Sequence, residues 1–276
     1  MSPHPPTASR RLVAETDVRA TPRGGRLDIP QDALVTPLAR QVALERNITL
    51  RERRTAPALQ RTDIRGEIVR VGQLMHQKGF IVASDGNISV RLGADRVLAT
   101  PSGRHKGFLR PDELITTDMD GRPINPPPGL GPTSEMPMHL EIYRQRPQVA
   151  AVVHAHLPLA VALSIAGIRL DEPFLPEAVI TLGPIPTTEY AIPSSLENVT
   201  AIRDLIGQHD AIVLRRHGAI TVGSDPFDAY MRMEAVEHKA HIVLLLRLLG
   251  QGEPLSSGQV ASLLELRRRL GLGPAA

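Results

Sequence analysis

The sequence predicts an α/β protein in which helices cover both faces of a layered sheet. Short apolar runs of strand length, at 96–100, 150–156 and 211–215, alternate with longer stretches of helical periodicity. A hydrophobic content of 42% beside 22% charged residues is ordinary for a globular chain and enough to build a core.

Residues 1–32 are rich in Pro, Arg, Gly and Thr without hydrophobic periodicity, and read as a disordered or loosely attached arm. From Ala33 to Gln60 apolar residues return, but Pro37 and the run Arg51-Glu52-Arg53-Arg54 interrupt them, leaving room for one short helix. Residues 1–60 therefore read as an Arg/Pro-rich, partly disordered extension, and 61–276 as the compact domain. That domain starts with a helix: Asp63 can cap it, Ile64, Ile68, Val71 and Met75 share a face, and Gly79 stops it. Gly86-Asn87 is a turn feeding a strand over Ile88 to Arg91, and Arg96 to Thr100 is a second strand ending at Pro101-Ser102-Gly103. After a Pro/Gly loop over 121–132, Thr133 or Ser134 caps a helix running to Arg146, with Pro137 in its first turn. Ala150 to His156 is a buried strand, followed by a helix over Pro158 to Ala166. Ile180 to Pro186 reads as a strand, Leu196 to Gln208 as a helix and Ala211 to Arg215 as a strand. Asp225 to Leu249 is the longest helix, and no internal repeat is visible.

Composition removes several functions. Residues 1–60 hold ten Arg and six Asp or Glu, a net of +4, and the remainder holds 22 basic and 23 acidic groups, a net of −1. A nucleic-acid-binding domain carries its positive charge on the folded surface, and with 3% aromatics and no Trp there is little to stack bases on. Without cysteine there are no disulfides, thiolate ligands or Cys nucleophile, which fits a reducing compartment. No stretch approaches the ~20 apolar residues of a membrane span, no secretory signal is visible, and cytoplasmic location is the expectation.

His154-Ala155-His156 is the sharpest chemical signal. Side chains at i and i+2 of a strand share a face, so both imidazoles can reach one ion. The apolar run before them would otherwise bury polar groups at a cost. His217 ends a second apolar strand and is the natural third ligand. A catalytic zinc typically takes three protein ligands and keeps a fourth position open. Glu135 near a helix start is either a base or extra ligand beside that metal, or a side chain pairing with the helix dipole. Ser102-Gly103, Gly86-Asn87 and Thr133-Ser134 offer turn amides, hydroxyls and a helix N-terminus suited to phosphate. Glu234, Glu237, His238 and His241 imitate a metal motif but form i,i+4 pairs of an exposed or interfacial helix face.

The ordered motifs Gly86-Asn87-Ile88-Ser89-Val90-Arg91, Thr100-Pro101-Ser102-Gly103, Thr133-Ser134-Glu135, His139, Tyr143, Val152-Val153-His154-Ala155-His156, Tyr190 and His217-Gly218 resemble the class II aldolase/adducin family over about residues 63–249. The resemblance implies a three-layer α/β/α sandwich around a central, mostly antiparallel mixed sheet, assembled as a homotetramer with sites between subunits. It implies His154, His156 and His217 as metal ligands, Glu135 as ligand or base, and Tyr190 as an acid supplied across an interface. Asn87, Ser102, Gly103, Thr133 and Ser134 would cradle a substrate phosphate. The cofactor would be zinc, with manganese, cobalt or iron as alternatives. The expected reaction is aldol cleavage of a small phosphorylated sugar or sugar acid through a metal-stabilised enediolate. A 4-epimerase, dehydratase or decarboxylase, or a non-catalytic interaction domain, are the alternatives. Two departures stand out: Thr133 replaces the usual Ser, and no Tyr follows Tyr230.

Overall fold

The computed structural model describes residues 12–30, 34–53 and 64–272, and the chain divides into two compact units between Asp63 and Ile64. Where the sequence reads as an arm and a broken stretch, the described residues form short regular elements. These are β1 (Leu12–Val13), α1 (Glu15–Arg19), β2 (Arg26–Pro30), β3 (Leu34–Val35), α2 (Pro37–Glu45) and β4 (Thr49–Arg53). β1 pairs in parallel with β3 from Leu12↔Leu34, and β2 with β4 from Arg26↔Thr49, offsets of 22 and 23 residues. The unit is thus a duplicated strand–helix–strand. In each half a left-handed residue, Gly24 at φ 73 and Asn47 at φ 51, turns the chain from helix to strand. Val18, Ala39, Val42, Ala43 and Ile48 form its core. The duplication escapes sequence inspection because the helices differ in length, five residues against nine.

The second unit contains α3 (Ile64–Gln77), β5 (Asn87–Arg91), β6 (Arg96–Ala99), β7 (Ile115–Asp118), β8 (Pro123–Ile124), α4 (Met136–Gln145) and β9 (Ala151–Ala155). It continues through α5 (Pro158–Ile165), α6 (Pro176–Thr181), α7 (Leu196–Ile206), β10 (Ala211–Leu214), β11 (Gly218–Gly223), α8 (Pro226–Leu249) and α9 (Ser257–Arg269). Seven strands form one sheet in the order β10-β11-β9-β5-β6-β7-β8, every pair antiparallel. Strand alternation splits the core in two. Val153, Val213 and Ala219 pack against α3, α5 and α8 on one face. Val152, Ile212 and Ile220 pack against α4 and α7 on the other. This is the expected α/β/α sandwich.

Two readings are corrected. Residues 180–186 are not a strand: Pro176 starts α6, and the chain beyond it joins the sheet's backbone pairing through one isolated parallel bridge among the described residues, Thr187↔Val213. The Ala178-Val179-Ile180 run is apolar enough for either element, and periodicity does not separate them over so few residues. The cap of α4 is Glu135, with neither Thr133 nor Ser134 in that position. β11, a fully buried strand directly after His217, has no counterpart in the sequence reading.

Candidate metal centre

Sheet geometry brings the three histidines together. β9 lies between β11 and β5, and His154 stands opposite Ile220 on one side and Asn87 on the other. Alternation turns Val152 and His154 toward the α4 face, and His156 follows two residues on. His217 sits in the tight turn from β10 to β11, after Arg216 in the left-handed region at φ 62. Two glycines let the backbones close around β9. A Cβ at Gly218 would meet the Ala155 carbonyl at 2.3 Å, and one at Gly86 would meet the His154 carbonyl at 2.9 Å. The result is a cluster whose three ligand atoms lie within 4.8 Å of one another.

The hydrogen bonds fix which nitrogen faces inward. His154 Nδ1 donates to the Ala219 carbonyl at 2.9 Å, so Nε2 is the nitrogen turned into the cluster. His156 Nδ1 lies 3.3 Å from Asp85 Oδ2, which also leaves its Nε2 inward. These two Nε2 atoms face each other at 3.2 Å. Two lone pairs at that distance repel unless a proton or a cation lies against them. Glu135 completes the arrangement, its Oε2 at 3.1 Å from His154 Nε2 and its Oε1 at 3.5 Å from His217 Nε2. Glu135 Oε1 and His217 Nδ1 are buried and have no hydrogen-bond partner among the described residues. Imidazoles and a carboxylate with unspent acceptor capacity fit a divalent cation of the zinc type.

The electrostatics agree. Burial opposes ionisation of Glu135, but the adjacent His154 and His217 and the bonds from His154 and Asn87 outweigh it, holding the carboxyl well below the usual range. Burial, then the charge of His154, lowers His217 to about 4. His156 is lowered by the same causes. Burial also works against a charged His154, yet the Glu135 carboxylate leaves its pKa raised. An ionised Glu135 with His156 and His217 held toward neutral suits a metal, and a cation at the centre would take the place of the proton that Glu135 favours on His154.

Behind Glu135 runs a buried chain of polar groups. Asn87 Nδ2 donates to Glu135 Oε2 at 2.8 Å, and Asn87 Oδ1 lies 2.5 Å from His139 Nε2. His139 Nδ1 lies 2.6 Å from Ser89 Oγ, which is 2.9 Å from the Tyr143 hydroxyl. Glu135, His139 and Tyr143 are spaced i, i+4, i+8 on one stripe of α4, and meet Asn87 and Ser89 on one face of β5. His139 and Tyr143 are motif residues to which the sequence assigned no role; their spacing from Glu135 was the available signal. Asp85 and Lys106 carried no such signal.

The remaining predicted residues lie in neighbouring loops. Pro101 and Pro132 form an isolated bridge, and the Ser102 amide donates to Gly131, so the Ser102-Gly103 turn and the Thr133-Ser134 segment run side by side. The Thr133 hydroxyl accepts from the Glu135 amide at 3.3 Å. Ser134 Oγ is 2.9 Å from Ser194 Oγ. Tyr190 is 60% exposed on a shallow surface with Leu196 and Thr200, and among the described residues it has no hydrogen bond to the histidines or Glu135.

The sandwich and its cluster of three histidines beside a carboxylate, which could hold a divalent cation, have the form of a metal-dependent enzyme. The family model described as Class II Aldolase and Adducin N-terminal domain matches residues 66–244, and the chain belongs to that family, as a lyase of the class II aldolase type. The L-fuculose phosphate aldolase of Methanocaldococcus jannaschii is 34% identical over 181 residues, 65% of this chain and 94% of that protein. The 3-oxo-tetronate 4-phosphate decarboxylase of Escherichia coli K12 is 31% identical over 187 residues, 66% of this chain and 87% of that protein. Among solved structures, YgbL of Klebsiella pneumoniae superposes with a TM-score of 0.69 at 27% identity, covering 75% of this chain and all of YgbL. The L-fuculose-1-phosphate aldolase of Thermus thermophilus gives 0.58 at 31% identity, covering 70% of this chain and 98% of that one. No helix among the described residues is long and apolar enough to cross a membrane.

Proposed function

We propose that the protein is a zinc-dependent aldolase that cleaves a small phosphorylated sugar or sugar acid, with His154, His156 and His217 as metal ligands. The observation that carries this reading is the pair of Nε2 atoms facing each other at 3.2 Å, with the Glu135 carboxylate beside them. When bound, the cation supplies Lewis acidity to the substrate's carbonyl and hydroxyl oxygens. Glu135, kept ionised, takes the proton from the hydroxyl whose carbon leaves as the aldehyde, and returns a proton to the carbon left with the electron pair. Ser102, Gly103, Thr133 and Ser134 hold the phosphate, which orients the reacting carbons. Asn87, with its amide donor on Glu135, serves the acid in addition to this cradle. Tyr190 is the acid contributed across a subunit boundary. Its exposure beside Ile192 and Leu196 supports a homotetramer in which that surface is covered. A cytoplasmic setting fits the cysteine-free sequence.

A second reading, decarboxylation of a 3-oxo acid phosphate on the same residues, is favoured by the decarboxylase relatives. Incubation with a panel of ketose phosphates and 3-oxo acid phosphates separates them: aldehyde release supports the aldolase, carbon dioxide release the decarboxylase. His154→Ala is expected to lose both the bound metal and the activity, read by elemental analysis and turnover. A variant retaining both would sink the metal-centred mechanism.

A further inference from the structure

His156 is the most exposed of the three histidines, and its orientation depends on a carboxylate outside the ligand set. Asp85 Oδ2 meets His156 Nδ1 at 3.3 Å from a turn closed by the Asp85 amide on the Val82 carbonyl. Ala83 in that turn is in the left-handed region at φ 47, a conformation that needs outside support in a residue with a Cβ. Lys106 supplies it: its side chain is 2% exposed and Nζ donates to the Ser84 carbonyl. The base of Lys106 cannot shift easily. A Cβ at Gly72 of α3 would lie 2.3 Å from the Lys106 carbonyl, and one at Gly107 would lie 2.6 Å from His76 Cβ, so this turn rests directly on α3.

We propose that Lys106 and Asp85 form a positioning pair for the metal centre: Lys106 pins the 82–85 turn, and Asp85 holds His156 in the Nδ1–H tautomer with Nε2 aimed inward. A carboxylate behind a ligand imidazole fixes the ring and raises the basicity of the coordinating nitrogen. Lys106 also places a positive charge near Asp85 and Glu135. Burial brings its pKa down to about 8, still above neutrality, so the ammonium keeps its proton and its grip on the turn. Neither residue has to touch substrate for this role.

The inference rests on the three-histidine reading, and the test separates the two. The full chain is stripped of metal and titrated with Zn2+ against a chromophoric chelator, with thermal melts as a folding control. Asp85→Ala is expected to weaken zinc binding about 10- to 100-fold, the usual loss when such a partner is removed. Lys106→Met is expected to weaken it in the same direction, and Lys106→Arg, which keeps a cationic donor, to restore it. In the zinc-loaded protein the His156 Nδ1–H proton resonance should be present in wild type and lost in Asp85→Ala. Zinc affinities of Asp85→Ala and Lys106→Met within twofold of a tight wild type would overturn this pair while leaving the centre intact. A wild-type chain that takes up no zinc would overturn the reading of the centre itself.

Discussion

Hydrogen-bond direction singles out His139 among the residues around the centre. An ionised Glu135 can only accept, so Asn87 must turn its amide nitrogen toward Glu135 and its carbonyl oxygen toward His139. His139 must then donate from Nε2 and accept at Nδ1 from Ser89, whose hydroxyl accepts in turn from Tyr143. The ring is therefore neutral, and burial lowers its pKa to about 3. The sign follows from the two values: an unfolded histidine near 6.5 takes a proton that the folded one refuses until about 3. Stability linked to His139 is complete above 6.5 and is lost as the pH falls toward 3, by about 1.4 kcal/mol per pH unit within that window. Denaturant titrations of the metal-free chain between pH 7 and 4 should show this slope, and His139→Gln, which keeps a donor for Asn87, should remove one proton's share of it. An unchanged slope would refute the neutral-ring assignment. His139→Ala should also cost about 1–3 kcal/mol for each polar group it leaves unpaired. Asn87, Glu135 and His154 were legible because each stands in a recognisable motif. The chain linking them was not, because it depends on β5 lying beside β9 with α4 across that face.

α9 shows where the sequence goes silent for a physical reason. Its only fully buried residue is Arg267, and the apolar residues on that face, Val260, Leu263 and Leu264, are few and half-buried, too weak a stripe to betray its packing. Part of its attachment is ionic. Asp210, immediately before β10, accepts from Arg146 at the end of α4 at 2.7 Å, from Arg232 of α8 at 3.1 Å, and from Arg267 at 2.6 Å. Arg267 also donates to the Ile180 carbonyl after the first turn of α6. One carboxylate thus gathers three helices at the start of the strand that leads to His217. Removing the shared partner leaves clustered guanidiniums without a counter-charge, whereas removing one arginine leaves Asp210 still paired. Asp210→Asn should therefore destabilise by about 3–5 kcal/mol, and Arg267→Met by clearly less, with amide exchange rising mainly in α9. Equal losses in denaturant melts would mean that the three arginines are not held through the one acid. The apolar strands β9 and β10 were readable from sequence because burial on both faces leaves a continuous hydrophobic run. The short α6 was misread on that same criterion.

At the scale of the molecule the division near residue 63 carries a functional consequence. The strands before it are two to five residues long around a small cluster of buried side chains, too little periodicity for sequence inspection to find. The strands after it that hold the histidines sit in a seven-stranded sheet with a hydrophobic cluster on each face. Every residue assigned to the centre, from Asp85 to His217, lies in the second unit, and the family match begins only at residue 66. A chain beginning at Ile64 therefore contains both cores and every proposed ligand. Stability in such a unit comes from burial within its own layers. The truncated chain should melt cooperatively, bind zinc within about threefold of the full chain's affinity, a difference below ~1 kcal/mol, and keep its turnover on the substrate that the screen identifies. Calorimetry, chelator competition and the activity assay test these in turn. Loss of zinc affinity in a truncated chain that still melts cooperatively would show that the duplicated strand–helix–strand unit helps to build the centre. Unchanged zinc binding with lost turnover would assign that unit to substrate handling or assembly instead.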